Sequence, residues 1–228
     1  LAGLENVDEI RQYRGMARRG DALREHILWV AKEVFLEHGF ERASMDEVAS
    51  RAQTSKRSLY AHFENKEKLF LAVIELVRGL FLSRIKEPSA YSTKPAEALE
   101  AFCARYLEAL LYESSIKMLR VSMAETARFP EGAAKHHDVL FTEVSARVSN
   151  YLKATFSLNA RVSADAAQRL IARLLFPRLP RALFGLEDLV EEFDEHALSP
   201  KIDVKAVRKA VAELLATLPQ TTRGDGAC

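Results

Sequence analysis

The sequence predicts an all-α protein in two parts: a small N-terminal group of three helices and a larger helical domain behind it. Three observations predict this. A helix-capping signal, two short amphipathic segments and a polar break between them lie within residues 44–63. From residue 66 to residue 218, apolar residues recur at helical spacing in segment after segment. Between the two regions, Pro88 and the run Ser89-Ala90-Tyr91-Ser92-Thr93-Lys94-Pro95 mark a boundary.

Composition bounds the class. At 228 residues, 48% hydrophobic and 29% charged, the chain has material for an ordinary globular core. Its net charge of +1 announces no partner, but the basic residues are unevenly placed. Residues 11–24 hold five Arg against one Asp, and residues 51–68 hold five Lys or Arg against two Glu. Local basic surface is what attracts phosphate. The two cysteines, Cys103 and Cys228, show no zinc or disulfide spacing, which suits a reducing cytoplasm. No apolar run approaches the roughly 18 residues of a membrane span, and no leader pattern opens the chain. The expected location is therefore cytoplasmic, without a membrane partner.

Residues 1–20 show no sustained apolar period and read as a flexible basic arm. Arg11, Arg14, Arg18 and Arg19 suit phosphates or a minor groove; a solvated tail is the other reading. Asp21 reads as the cap of the first helix. Leu23, Ile27, Val30, Ala31, Val34 and Phe35 form its apolar face, Trp29 lies near the face edge, and Gly39 ends it. Ser44 and Glu47 have capping-box spacing, followed by Met45, Val48, Ala49 and Ala52 at helical spacing. Gln53-Thr54-Ser55 is the polar break. Ser55 caps a second short helix through Phe63, anchored by Leu59 and Phe63.

Such a helix-turn-helix can place its second helix in the major groove of DNA. Arg57 suits a bidentate contact to guanine, and Ser58 is short enough to sit against bases. Lys56, Tyr60 and Lys66 suit phosphates. Asn65 reads as the cap of the next helix.

The segments F-L-E-H-G-F-E-R-A-S-M-D-E-V-A, S-K-R-S-L-Y-A-H-F and N-K-E-K-L-F carry a resemblance. In this order and spacing they resemble the DNA-binding domain of the tetracycline-repressor (TetR) family of bacterial transcription regulators. The family usually has Gly-Val or Gly-Ile in the turn, where this chain has Gln53-Thr54. A Gln in left-handed geometry costs on the order of 1 kcal/mol. The expected DNA-binding residues are Ser44, Thr54, Ser55, Lys56, Arg57, Ser58, Tyr60, His62 and Lys66. The expected domain spans 21–81, with the helix-turn-helix at about 44–63.

The second domain is expected over 88–219, with a frayed tail at 220–228. A long helix from Lys66 to about Ile85 leads into it, with Phe70, Val73, Ile74, Val77, Leu80 and Phe81 on a face wide enough for two cores. Helices are then predicted at 96–112, 114–128, 133–156, 164–184 and 204–218. Pro130 and Gly132 are read as a break, and Pro177 and Pro180 as kinking or shortening the 164–184 helix. Asn159 and Ser163 flank another break. The acidic residues of 187–195 suggest a solvated loop or short helix.

M-L-R-V-S-M-A-E-T-A-R-F-P-E is similar to a segment of the family's second domain. The resemblance implies a small-molecule pocket among the middle helices and a homodimer built on helices near 164–184 and 203–218. Pocket candidates are Cys103, Tyr106, Met118, Arg120, Met123, Phe141, Asn150 and Tyr151, with simple core filling as the alternative for each. His136-His137 could suggest a metal, but neighbours on a helix point about 100° apart, so no metal and no cofactor are expected. The chain lacks a Gly-rich phosphate loop, G-x-S-x-G, H-E-x-x-H and C-x-x-C, so no enzyme is expected.

The expectation is thus a sequence-specific regulator, most naturally a repressor, that binds a palindromic double-stranded DNA operator as a dimer and answers to a small-molecule effector of unknown identity. Two alternatives stay open. One is a DNA-binding regulator controlled by a protein partner, with no pocket. The other is a small-molecule enzyme with a vestigial helix-turn-helix.

Overall fold

A computed structural model describes residues 19–219. The tail expected at 220–228, with Cys228, and all but the last two residues of the expected basic arm lie outside them. Every regular element among the described residues is helical, with no β-ladder beyond a single parallel bridge, Tyr112 to Val190. They form two compact units that meet within one helix, between Leu76 and Val77.

In the first unit, α1 runs Arg19–Arg42 with a kink at Gly39, whose φ of 70° suits glycine. An added Cβ there would meet nothing within 4 Å, so conformation and not space is the requirement. Asp21 lies inside the first turn and is not the cap, because the helix begins two residues earlier. Ile27, Ala31, Val34 and Phe35 are buried. Phe35, Phe40 and Phe70 cluster, with Phe70 edge-on to the other two at 5.1 Å. Trp29 is buried rather than marginal, with the Lys32 ammonium 4.4 Å from its ring centre. Next come α2 (Met45–Arg51), α3 (Lys56–His62) and α4 (Lys66–Ser83). Leu59 and Phe63 are buried, as their i, i+4 spacing requires.

In the second unit, a short 3-10 turn at Pro88–Ala90 precedes α5 (Pro95–Leu110), α6 (Glu113–Ala124), α7 (Pro130–His137) and α8 (Glu143–Phe156). Then follow α9 (Ala160–Leu175), α10 (Arg178–Leu183) and α11 (Val204–Thr217). α9 packs on α8 and α11, and α11 packs on α5. Leu99, Phe102, Tyr106, Leu110, Val144, Val148, Leu152, Leu170 and Val211 belong to one core.

Several expectations are corrected. Pro130 opens α7 instead of breaking a helix; at a first helical position its missing N–H leaves no bond unmade. The helix expected at 133–156 is divided by a π-helical turn, Asp138–Thr142. α9 starts at Ala160, earlier than expected, because the Asn159 side chain caps it by accepting from Val162 N at 2.9 Å. Ser163 is a buried helical residue, not part of a break. The shortening expected at the prolines of the 164–184 helix falls at Pro177: α9 ends at Leu175, and α10 begins after Pro177. Pro180 is tolerated because it sits in the first turn of α10, where N–H groups lack intrahelical partners.

The acidic stretch is irregular but tied down. Glu187 pairs with Arg178 at 2.8 Å and Arg181 at 3.2 Å, and Glu191 pairs with Lys201 at 2.8 Å. Arg105 donates to the carbonyls of Asp194, Glu195 and Ala197, and to the fully buried Glu108 at 2.6 Å. Glu108 also accepts from Ser199 N at 2.6 Å.

Candidate nucleic-acid interface

The sequence builds the two short helices from their ends inward. Ser44 caps α2, its Oγ accepting from Glu47 N at 3.1 Å. The reciprocal half of the capping box is replaced. The Glu47 carboxylate bonds His38 at 3.0 Å and Arg51 at 2.7 Å. A guanidinium one turn along gives a stronger, charge-assisted partner than a neutral N–H. Arg51 also holds Glu37 through two 2.8 Å bonds, which raises the guanidinium pKa.

The turn has the strained conformation that its sequence implied. Gln53 has φ of 50°, the left-handed region usually given to glycine. Its N–H bonds Ser50 O at 3.1 Å, and Thr54 N bonds Ala49 O at 3.0 Å, so the turn is fixed by backbone bonds. Ser55 then caps α3 through Ser58 N at 3.1 Å.

α3 buries Leu59 and turns Lys56, Arg57, Tyr60 and Ala61 outward. Tyr60 is 47% exposed, so its ring face and hydroxyl are open to solvent. Thr54, Ser58 and His62 are half-buried; Ser44 and Ser55 are exposed. Lys56 pairs with Asp46 at 2.7 Å, and this hydrogen bond raises its pKa. Asp46 and Lys56 are each 63% exposed on their side chains, so the pair is weak and yields readily to a phosphate.

Lys66 differs from the phosphate-facing residue its position suggested. Its ammonium donates to the carbonyls of Phe40, Glu41 and Ala43 at 2.8, 3.1 and 3.1 Å, and lies 4.4 Å from the Phe40 ring centre. All three of its donors are engaged. It closes the C-terminal end of α1, where carbonyls lack helical partners. Nothing in the local sequence showed this, since the acceptors lie 23 to 26 residues away. Asn65 caps α4, its Oδ1 accepting from Lys68 N at 2.8 Å.

Glu37, His38 and Glu47 bring ligand-type atoms within 4.8 Å of one another. The Arg51 guanidinium spans both carboxylates, so the group is an ion-pair network bracing α1 against α2. His136 is buried and His137 exposed, on different sides of α7.

The pocket candidates of the second unit are dispersed. Cys103, Tyr106 and Met118 lie in the core. Burial pushes the Cys103 thiol up to about 12 and raises the Tyr106 phenol, whose hydroxyl donates to Leu140 O at 3.1 Å. Arg120 braces α10 by donating to Ala182 O at 2.6 Å and Leu183 O at 3.0 Å. Met123 is 57% exposed, and Tyr151 packs half-buried against the core. Phe141 and Asn150 share one site. They line an open groove of about 630 Å³ between α8 and α9, with Ser145, Ser149, Gln168 and Ile171. No helix among the described residues is long and apolar enough to cross a membrane.

Comparison with known proteins agrees with this geometry. Residues 27–73 match the family model described as bacterial regulatory proteins, tetR family. Residues 97–216 match that of the AefR-like transcriptional repressor, C-terminal domain. The transcriptional activator FasR of Mycolicibacterium smegmatis is 33% identical over half of this chain and 56% of its own length. The regulator UidR of Escherichia coli K12 is 28% identical over 78% of this chain and 89% of its own. A TetR-family regulator from Mesorhizobium loti shares the fold, with a TM-score of 0.70 over 88% of this chain and 98% of that one, at 22% identity. The flavonoid-responsive regulator FrrA superposes with a TM-score of 0.61 at 26% identity, over 86% and 94% of the two chains.

Proposed function

Because the chain belongs to the TetR family of DNA-binding transcriptional regulators, we propose that it acts as a homodimeric, effector-controlled repressor of a near-palindromic operator. The observation that carries the reading is α3: a short helix fixed at both ends, with Lys56, Arg57 and Tyr60 turned outward from a buried Leu59. In this reading Arg57 reads a guanine edge in the major groove. Ser58 and Thr54 lie against bases or sugar. Lys56 and Tyr60 hold phosphates, and the exposed Ser44 and Ser55 flank the contact. Lys66 contributes by holding the end of α1 in place.

The second unit supplies the dimer contact and the effector site. Phe176, Phe184 and Leu186 are 71%, 82% and 62% exposed around α10. Apolar surface of this kind favours burial against a second copy. α9, α10 and α11 are the proposed contact elements. Effector binding shifts the population toward dimers whose recognition helices no longer match the operator half-sites, which requires unequal affinity for the two states. α4 is the proposed connection, since it continues without a break from Lys66 to Ser83 across the unit boundary.

Selection of bound duplexes from a random pool tests the reading. The expected result is enrichment of a palindrome with half-sites in the major groove, bound by a species twice the 25.6 kDa chain mass. Enrichment of no motif would refute it, and binding as a monomer would remove the palindrome.

A further inference from the structure

One buried side chain is not explained by packing. His136, in the last turn of α7, is 1% exposed, and neither of its ring nitrogens meets a hydrogen-bonding atom among the described residues. Buried polar groups in folded proteins are nearly always paired, and leaving one unpaired is unfavourable. A neutral imidazole carries one donor and one acceptor; here both are open. Burial, reinforced by the positive charge of Arg78, lowers the ring pKa to about 4 and keeps the ring neutral. Arg78 is itself 3.7 Å from Glu143, which offsets part of its charge.

The backbone is unusual at the same place. The π-helical turn Asp138–Thr142 begins two residues after His136. Such turns are rare and recur at functional sites. About one helical turn beyond His136, the carbonyl of Leu140 accepts the buried Tyr106 hydroxyl. Phe81, Tyr106, Val139 and Leu140 are all buried.

We propose that His136 is the polar anchor of the effector site, and that the effector presents to it a weakly acidic hydroxyl of the phenol or enol kind on an otherwise apolar molecule. This rests on the ligand-responsive reading above. A hydroxyl can donate to one ring nitrogen or accept from the other. A carboxylate only accepts, so it can pair with the ring N–H alone, and its full charge is costly to bury among apolar side chains. An ammonium only donates and is repelled by Arg78. The field of Arg78 also favours an electron-rich, acidic oxygen over an aliphatic alcohol. The apolar core around this part of the chain requires an apolar body.

Phenol is the probe, and toluene the control that matches its shape without the hydroxyl. With the full chain labelled at histidine nitrogens, phenol is expected to move the His136 Nδ1 and Nε2 resonances, and toluene to leave them unchanged. His136→Phe is expected to weaken phenol binding by about tenfold or more. His136→Gln keeps a donor and an acceptor and is expected to retain most of it, which guards against a folding defect in the first variant. Phenol binding that leaves His136 unmoved, or that survives in His136→Phe, would overturn the anchor. So would a ring-to-water contact that persists at saturating phenol, since a structural water would then be the partner. Operator release by a compound that does not move His136 would overturn the anchor and leave the regulator reading standing. Failure of the unliganded chain to prefer any duplex would instead sink the regulator reading, whatever phenol does at His136.

Discussion

The helix-turn-helix unit and the unit behind it are held together over different distances along the chain. In the first, each short element begins on a side-chain cap three residues from its acceptor or donor: Ser44 with Glu47, Ser55 with Ser58, Asn65 with Lys68. In the second, α5, α6, α7 and α8 start without a side-chain cap. There, guanidinium groups reach across the fold. Arg105 bonds carbonyls 89 to 92 residues away, and Arg120 and Arg147 bond carbonyls 62 to 63 residues away. A DNA-reading surface needs one reproducible shape, and local caps supply it. In the proposed reading, an effector domain built on distant contacts can change its pocket while keeping its helices.

The largest expected effect tests this contrast in the second unit. Glu108→Ala leaves the largely covered Arg105 guanidinium with only its carbonyl partners and frees the loop at Ser199. The expected loss is about 3–5 kcal/mol in urea unfolding, and a loss below about 1 kcal/mol would show that the long-range brace is dispensable. His136 comes next. It is neutral in the fold with its pKa lowered to about 4, whereas the unfolded chain takes up a proton near 6.5. The unfolded state therefore binds more protons in this window, and stability falls as pH drops from about 6.5 toward about 4, by about 3 kcal/mol in all. His136→Phe is expected to flatten that dependence; an unchanged pH profile would contradict it.

Arg57→Ala is expected to cost about 1–3 kcal/mol of discrimination between operator and random duplex, with stability unchanged because the side chain is exposed. Equal discrimination by the variant would remove its base-reading role. Lys66→Met removes a distant contact from the otherwise locally capped unit. It is expected to lower stability by about 2 kcal/mol while leaving the salt slope of DNA binding intact. A slope reduced by roughly 1 would return Lys66 to the phosphate backbone. The smallest effect is at the turn. Gln53→Gly relieves a positive φ and is expected to raise stability by up to about 1 kcal/mol, visible as a higher melting temperature with unchanged operator preference.

The split between what could and could not be read follows the same physical line. Ser44, Gln53, Ser55 and Leu59 were legible because each acts on residues within one or two turns. Pro130, Ser163 and the start of α9 were misread because the sequence marks a break without saying on which side the helix resumes. The π-turn after His136 left no mark in the periodicity, since one extra residue in a turn lies within the scatter of any apolar pattern. Lys66 looked like a surface cation because its carbonyl acceptors carry no side-chain signature.

The order of residues by itself determined an all-α chain, the helix-turn-helix with its capped ends, the strained turn at Gln53 and the family, since all of these rest on spacings of a few residues. Tertiary structure alone decided where Lys66, Arg105 and Arg120 place their charges, which pocket candidates share a groove, and that His136 is enclosed without a partner among the described residues. Those outcomes depend on how helices distant in sequence come together, and no local spacing encodes which carbonyl or which cavity a long side chain will meet.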